Sequence, residues 1–411
     1  MNIWLIQIGE PLPLDQNVRK MRTTILADKL IERKHSVVWW ASSFDHFTKK
    51  WKFQKDTELG IKEHLKIFAL KGLGYKKNLS ILRFLDHRII SNKFKRIAPT
   101  MPKPDIIIAS FPSHDLAYEA VIFAKRNNIP VLIDIRDQWP DIFLNYFQKM
   151  LRKLVKIGLT REYLIVKESL KKADGLIAMM PALLDWGLNY AGRQKTWKDK
   201  VFYLGDKRRV VSNNISNRVI KILDGLENKF VVLFLTSFNI CTDCNILIDC
   251  AKRLAGSDIY FLLVGEGGVF KEIEKKARTV PNIILTGWLD EAELAAVLER
   301  SKIGVCPLAE QFIDYFPNKI FTYFSAGLPV LTSLQGELKD VIETRRVGFY
   351  CPANDSDALL RNIKKLYDDP ALLKEMSSNA RFIFDTMFDA DKIYEGYAAH
   401  IESVASDYPK R

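Results

Sequence analysis

Between Ile303 and Val330 the order of residues leaves little choice of secondary structure. Ile303-Gly304-Val305-Cys306-Pro307-Leu308 is a short apolar run and reads as a buried strand. The stretch D-Y-F-P-N-K-I-F-T-Y-F-S-A-G-L-P-V follows, from Asp314 to Val330. Pro317 stands where a helix can begin, because the amide hydrogen it lacks is not needed in a first turn. Asn318 to Ala326 then reads as a helix, stopped by Gly327 with Pro329 just beyond. Leu328 to Leu331 follows as a second buried strand. Strand, loop, helix and strand make a βαβ unit, whose loop amides and helix N-terminus form a natural seat for phosphate.

The same alternation runs along most of the chain. Met1 to Ile8 predicts a first strand, broken by Gly9-Glu10-Pro11-Leu12-Pro13. A helix is expected from Val18 to Lys34, with Met21, Ile25, Leu26, Leu30 and Ile31 at helical spacing, and Val37 to Trp40 is the next strand. In such a doubly wound sheet a ligand lies at the carboxyl end of the first strand, near Gly9. Arg19 and Arg22 on the helix either reach anionic groups there or are solvated helix charges. Asp105 to Ser110 and Pro130 to Ile135 are further strands, and Arg136-Asp137-Gln138-Trp139-Pro140-Asp141 follows the second. Charges at that position project into a ligand cleft or pair structurally to cap the next helix. Lys207 to Ile222 turns polar, with Asn213, Asn214 and Asn217, and is the linker candidate. Strands then restart at Phe230–Leu235, Ile259–Val264 and Ile283–Leu285, separated by helices. The second of these runs into Gly265-Glu266-Gly267-Gly268 and the third is followed by Gly287-Trp288-Leu289.

A chain of 411 residues holds two domains with real cores. The expected division is 1–210, completed by a terminal helix at 389–411, and 211–388. No apolar run reaches the ~20 residues of a membrane helix, and the first residues show no signal-peptide pattern. Five scattered cysteines fit a reducing cytoplasm. The net charge of +13 calls for an anionic partner. Residues 42–55, 75–96 and 149–172 mix lysine and arginine with aromatic or aliphatic side chains. The last carries Lys149, Arg152, Lys153, Lys156, Arg161, Lys167, Lys171 and Lys172 among Leu151, Leu154, Val155, Ile157, Leu164 and Ile165. Each is a solvated basic helix face or a surface for an anionic leaflet. Three of them together favour a membrane-facing first half, peripheral on the inner face of the cell membrane. No nucleic-acid recognition motif accompanies the charge, and Cys241-Thr242-Asp243-Cys244 is a lone pair without the partners zinc needs.

Several segments, in order, resemble retaining glycosyltransferases of family 4, in the branch that builds bacterial capsule and O-antigen polysaccharide. They are Gly9-Glu10-Pro11-Leu12-Pro13 with Arg19 and Arg22, Ser43-Phe44-Asp45-His46, Arg136 to Asp141, Trp186-Gly187-Leu188 with Ala191-Gly192-Arg193, Thr286 to Leu289, and Pro317 through Pro329. The resemblance implies a GT-B fold: two Rossmann-like doubly wound α/β domains facing across a cleft, with the C-terminal helix crossing back. It implies hexosyl transfer from a nucleotide sugar, a UDP-sugar first, to a polyprenyl-diphosphate-linked or other saccharide acceptor, without metal or other cofactor. By the same resemblance Asp314, Lys319 and Asp137 are the catalytic candidates. Gly9, Arg19, Arg22, Arg136, Ser237, Gly265, Glu266, Gly267, Trp288, Leu289, Pro317, Asn318 and Thr322 would bind substrate or nucleotide.

Two positions depart from the family pattern. Eight residues after Asp314 the family has an acid that holds the ribose, and this chain has Thr322. The loop Thr236 to Cys241 lacks the basic residue often found there. Restoring the acid by Thr322→Glu is expected to tighten nucleotide-sugar binding. The alternative reading is a degenerate, non-catalytic scaffold in a polysaccharide assembly complex.

Overall fold

The computed structural model describes residues 1–14, 20–148, 150–212, 214–238, 244–308 and 316–409. It divides into two compact units, Met1–Tyr203 with Lys392–Arg411, and Leu204–Asp391.

The first unit contains β1 (Asn2–Ile6), β2 (Ser36–Ser42), β3 (Phe44–Asp45), β4 (Lys50–Trp51), β5 (Thr57–Lys62), β6 (Leu65–Leu70), β7 (Ile106–Phe111), β8 (Val131–Ile135), β9 (Gly175–Ala178) and β10 (Lys200–Val201). Eight of these form one sheet in the order β10-β9-β8-β7-β1-β2-β6-β5, parallel throughout except for β5 against β6. The central strands are near-continuous apolar runs because helices cover both faces of a parallel sheet. Trp4, Trp40, Phe94 and Phe123 pack under one face, with ring centroids 4.8 to 6.2 Å apart. Burial of each such side chain contributes roughly 1.5–3 kcal/mol.

Three local findings add to or differ from the sequence reading. The described first helix is Arg22–Glu32, shorter than Val18 to Lys34. The β5–β6 hairpin carries no glycine signal, since its turn uses Glu63 and His64, the latter at φ 65°. The polar stretch read as a linker is helical in its second half, Asn217–Gly225, where the Ser216 hydroxyl accepts from the Val219 amide and caps the first turn.

The second unit contains β11 (Phe230–Leu235), β12 (Ile259–Val264), β13 (Ile283–Gly287), β14 (Ile303–Cys306), β15 (Val330–Thr332) and β16 (Gly348–Tyr350). All are parallel, in the order β13-β12-β11-β14-β15-β16. The order reverses between β11 and β14, and the helix Asn318–Ser325 follows β14. Tyr323 on that helix ties the two strands together: its hydroxyl accepts from the Leu235 amide at 2.8 Å and donates to the Val305 carbonyl at 3.1 Å. Gly304 makes room for its ring, because a Cβ there would stand 2.5 to 2.8 Å from three ring atoms. Gly304→Ala is therefore expected to cost about 1–3 kcal/mol by overpacking, read as a lower melting temperature. An unchanged melting point would show that the ring can move aside. The described cysteines, Cys244, Cys250, Cys306 and Cys351, are all buried and unbridged, and all belong to this unit.

Candidate functional site

In an open α/β sheet, ligands bind outside the carboxyl ends of the strands where strand order reverses. In the second unit that point lies at the ends of β11 and β14. Three loops meet beside it. The Thr236 amide donates to the Val264 carbonyl at 2.9 Å, the Phe238 amide to the Glu266 carbonyl at 3.0 Å, and the Gly265 amide to the Gly287 carbonyl at 2.9 Å. The approach is close enough that a Cβ on Gly265, which has φ 130°, would lie 1.8 Å from the Thr236 carbonyl oxygen. Gly265, Glu266 and Gly267 therefore share one edge with Ser237 and with Trp288, whose side chain is 67% exposed. Leu289 beside it is buried.

Pro317 is the N-cap of the helix Asn318–Ser325, with exposed Asn318 as the first helical residue. Lys319 comes next. Its ammonium lies 4.8 Å from the centre of the Phe234 ring on β11. It has no hydrogen-bond acceptor or carboxylate partner among the described residues. Burial pushes its pKa below the usual lysine range, opposed only by the thiols of Cys306 and Cys244. A desolvated cation at a helix N-terminus gains most from an arriving anion. Thr322, one turn on, is buried, and its hydroxyl donates to Asp206 Oδ2 at 2.6 Å. Asp206 was not among the sequence candidates. Asp314, like Arg19 in the first unit, lies outside the described residues.

In the first unit two of the candidate cations are engaged in a buried ion-pair network. Arg22 is not a free cation at the end of β1. It is buried, with Nε and Nη2 on both oxygens of Asp134 at 2.9 to 3.2 Å and Nη1 on the carbonyls of Phe202 and Tyr203. Arg136 is committed as well. It donates to Asp134 Oδ2 at 2.8 Å, to Thr23 Oγ1 at 3.0 Å and to the Glu10 carboxylate. Glu10 in turn accepts from the Thr23 amide, capping the first helix beside Gly9. Both arginines thus neutralise a carboxylate buried inside β8, which commits most of their N–H groups to a structural task. Asp141 is structural too, accepting from Tyr163, Trp186 and Tyr190 at 2.8 to 2.9 Å.

Asp137 is different. Burial pushes its carboxyl above the usual range, against the Gln138 amide and the Arg83 charge, which pull it down. Arg83 stacks 4.4 Å from the Trp139 ring centre and 5.5 Å from that of Tyr75. Around this ring lie buried polar atoms without a hydrogen-bond partner among the described residues: Arg83 Nε, His87 Nδ1, Ser113 Oγ and both nitrogens of His114. His46, against the Tyr75 hydroxyl at 2.6 Å, is driven down to about 4 by burial and by Arg83 and Lys49. Trp139, after β8, packs against His87 of the helix Ile81–Ile97 and against His114, after β7, with centroids 5.7 and 5.8 Å away. Such a constellation offers aromatic faces, unspent hydrogen bonds and a guanidinium.

Residues 229–369 match the family model described as glycosyl transferases group 1. The chain is 25% identical over 236 residues to O-antigen chain mannosyltransferase C of Escherichia coli, covering 56% of this chain and 60% of that protein. It therefore spans less than two thirds of that curated relative. Its fold is similar to sucrose-phosphate synthase of Thermosynechococcus elongatus, with TM-score 0.73 and 15% identity over 98% of this chain and 99% of the other. It is also similar to Anabaena HepE, solved in complex with UDP, with TM-score 0.65 and 16% identity over 98% and 99% of the two chains. The two Rossmann-like units together make the GT-B fold, and across residues 229–369 the chain matches the group 1 glycosyltransferase family.

Proposed function

We propose that this protein is a glycosyltransferase that moves a sugar from a nucleotide-sugar donor to a saccharide acceptor in cell-surface polysaccharide synthesis, with retention of configuration. Lys319 carries the reading: a desolvated ammonium, without a carboxylate partner among the described residues, at a helix N-terminus beside the point where strand order reverses. In the reaction the bond from the sugar's anomeric carbon to the diphosphate oxygen breaks, and the acceptor hydroxyl forms a bond to the same carbon. The acceptor's proton passes to the departing diphosphate, so no enzyme nucleophile is needed. What the protein supplies is positive potential for the growing charge, from Lys319 and the amides of the Asn318–Ser325 helix. That role needs no metal. Gly265, Glu266, Gly267, Ser237 and the exposed Trp288 are the residues proposed to receive base and diphosphate. A UDP-sugar is the first donor to test, since HepE was solved with UDP; the O-antigen relative makes a mannose donor the second.

For the acceptor we propose the Arg83–Trp139 cluster with Asp137, where a sugar ring stacks on aromatic faces and spends the orphaned hydrogen bonds. A lipid-diphosphate-linked acceptor fits the surface beside it. The helix Arg152–Gly158 buries none of its residues, and Met150, Leu154 and Ile157 are 89%, 65% and 70% exposed. Lysines and arginines alternate with them, as in a helix that rests on an anionic leaflet. No described helix is long and apolar enough to cross a membrane.

Two measurements test the reading. In a thermal-shift panel of UDP-, GDP-, dTDP- and CMP-sugars, one donor is expected to raise the melting temperature by mass action. No shift with any of them would remove the donor assignment. In liposome flotation the protein is expected to float with anionic vesicles and stay down with neutral ones. Equal, negligible binding to both would remove the membrane assignment alone.

A further inference from the structure

We infer that Asp206, acting through Thr322, supplies the carboxylate that grips the ribose of the nucleotide. The inference rests on the donor-binding reading above and assigns one more residue to it. Nucleotide-binding α/β domains take the vicinal ribose hydroxyls with an acidic side chain, because a carboxylate accepts several bonds at once. Thr322 has no charge to offer. The fold brings one to it from 116 residues away: Thr322 Oγ1 gives its hydrogen to Asp206 Oδ2 at 2.6 Å.

The carboxylate is held firmly. The Asp206 amide donates to the Phe388 carbonyl at 3.1 Å, and the Asp206 carbonyl accepts from the Ala390 amide at 2.9 Å. Oδ2 also takes Arg209 Nη1 at 2.8 Å, and Oδ1 takes the Lys207 amide at 2.8 Å and Arg209 Nη2 at 3.3 Å. The side chain nevertheless keeps 20% of its surface exposed. Each oxygen thus accepts two bonds, and the longest, from Arg209 Nη2 to Oδ1, is the one a ligand hydroxyl would displace. Oδ1 is the less well served oxygen, its second bond being long. The Thr322 hydroxyl has spent its hydrogen and keeps its lone pairs, made better acceptors by the bond to the carboxylate. Together the two side chains do the work of one acid.

Position supports the assignment. Lys319 and Thr322 are three residues apart and share a face of the Asn318–Ser325 helix. The anion site is thus at the first turn and the acid about one turn, ~5 Å, further along. A nucleoside diphosphate presents phosphate and ribose in that order. The pairing also reverses an expectation drawn from sequence. Thr322→Glu alone sets a second carboxylate against Asp206, and is expected to weaken nucleotide binding where the sequence predicts tightening.

The test is calorimetric binding of UDP and GDP and of their 2′,3′-dideoxy counterparts. The wild type is expected to prefer the ribose form of its nucleotide by ~10- to 100-fold, the worth of a charged hydrogen bond. Asp206→Asn is expected to abolish most of that preference while leaving dideoxynucleotide binding unchanged. Should Asp206→Asn fail to fold, Asp206→Ala combined with Thr322→Glu decides, because it returns an acid to the site and is expected to restore the preference. An undiminished ribose preference in Asp206→Asn overturns the inference. So does an equal loss for ribose and dideoxy forms that the double variant does not repair, which would make Asp206 a pin for its own loop. A wild type that binds no nucleoside diphosphate fails the donor reading itself, and this inference with it.

Discussion

Lys319→Met is expected to lower sugar transfer by ~100- to 1000-fold, the range for removing one preorganised charge-stabilising donor from a transition state, and to leave the melting temperature unchanged or higher. The two halves belong together. Methionine keeps the length of the side chain and its packing over Phe234. It also relieves the cost of holding a desolvated ammonium out of water. A residue kept only for the fold would give the opposite pattern, with stability falling and residual activity tracking the folded fraction. The pH dependence follows from the same burial. Only the protonated lysine attracts diphosphate. Donor affinity in the wild type is therefore expected to fall as pH rises through a value below the ordinary lysine 10.5, and Lys319→Met is expected to lose that limb. Transfer within tenfold of wild type, or a melting point lowered by several degrees, would count against the assignment.

Asp134→Ala is expected to be the most damaging single change to the first unit, at about 3–5 kcal/mol, because it leaves Arg22 and Arg136 buried without their shared counter-ion. Such a loss is comparable to the whole stability of a marginal domain. Circular dichroism melts would read it as an early loss of helix and sheet. The acid side of the stability curve follows. Burial alone would raise the Asp134 pKa, but Arg22 and Arg136 hold it below the ordinary aspartate value. A carboxylate with a depressed folded pKa contributes its full stabilisation above its unfolded value, about 3.9. The first unit is therefore expected to keep this contribution down to about pH 4 and lose it only as pH falls further. A melting point within a degree of wild type for Asp134→Ala would show that the arginines find other partners.

These two residues also mark what can be seen in a linear chain. The βαβ unit around Lys319 was legible because strand, proline, helix and glycine follow one another in order, and the helix begins at Asn318 as expected. The sheet order was not legible, since parallel strands pair across distances that leave no local trace. The partners of Arg22 and Arg136 were hidden for a related reason. Both stand beside strand ends, where a cation suits a ligand. What decides their role is Asp134, the single acid inside the apolar run Val131–Ile135. A charge in a strand buried on both faces has to be paired, so that signal was available and pointed to the arginines. Asp206 gave no such signal, because its neighbours in sequence say nothing about Thr322. The Arg83–Trp139 cluster likewise draws on β7, β8 and the helix Ile81–Ile97, and only the folded sheet gathers them.

The distribution of cysteine gives each unit its own reporter. Every sulfhydryl of the chain lies in residues 241–351, and the described four are shielded from solvent, whereas all tryptophans but Trp288 lie in the first unit. A chromogenic disulfide reagent will therefore count openings of the second unit while indole emission follows the first. Together they distinguish a ligand that tightens one half from a substitution that loosens its neighbour.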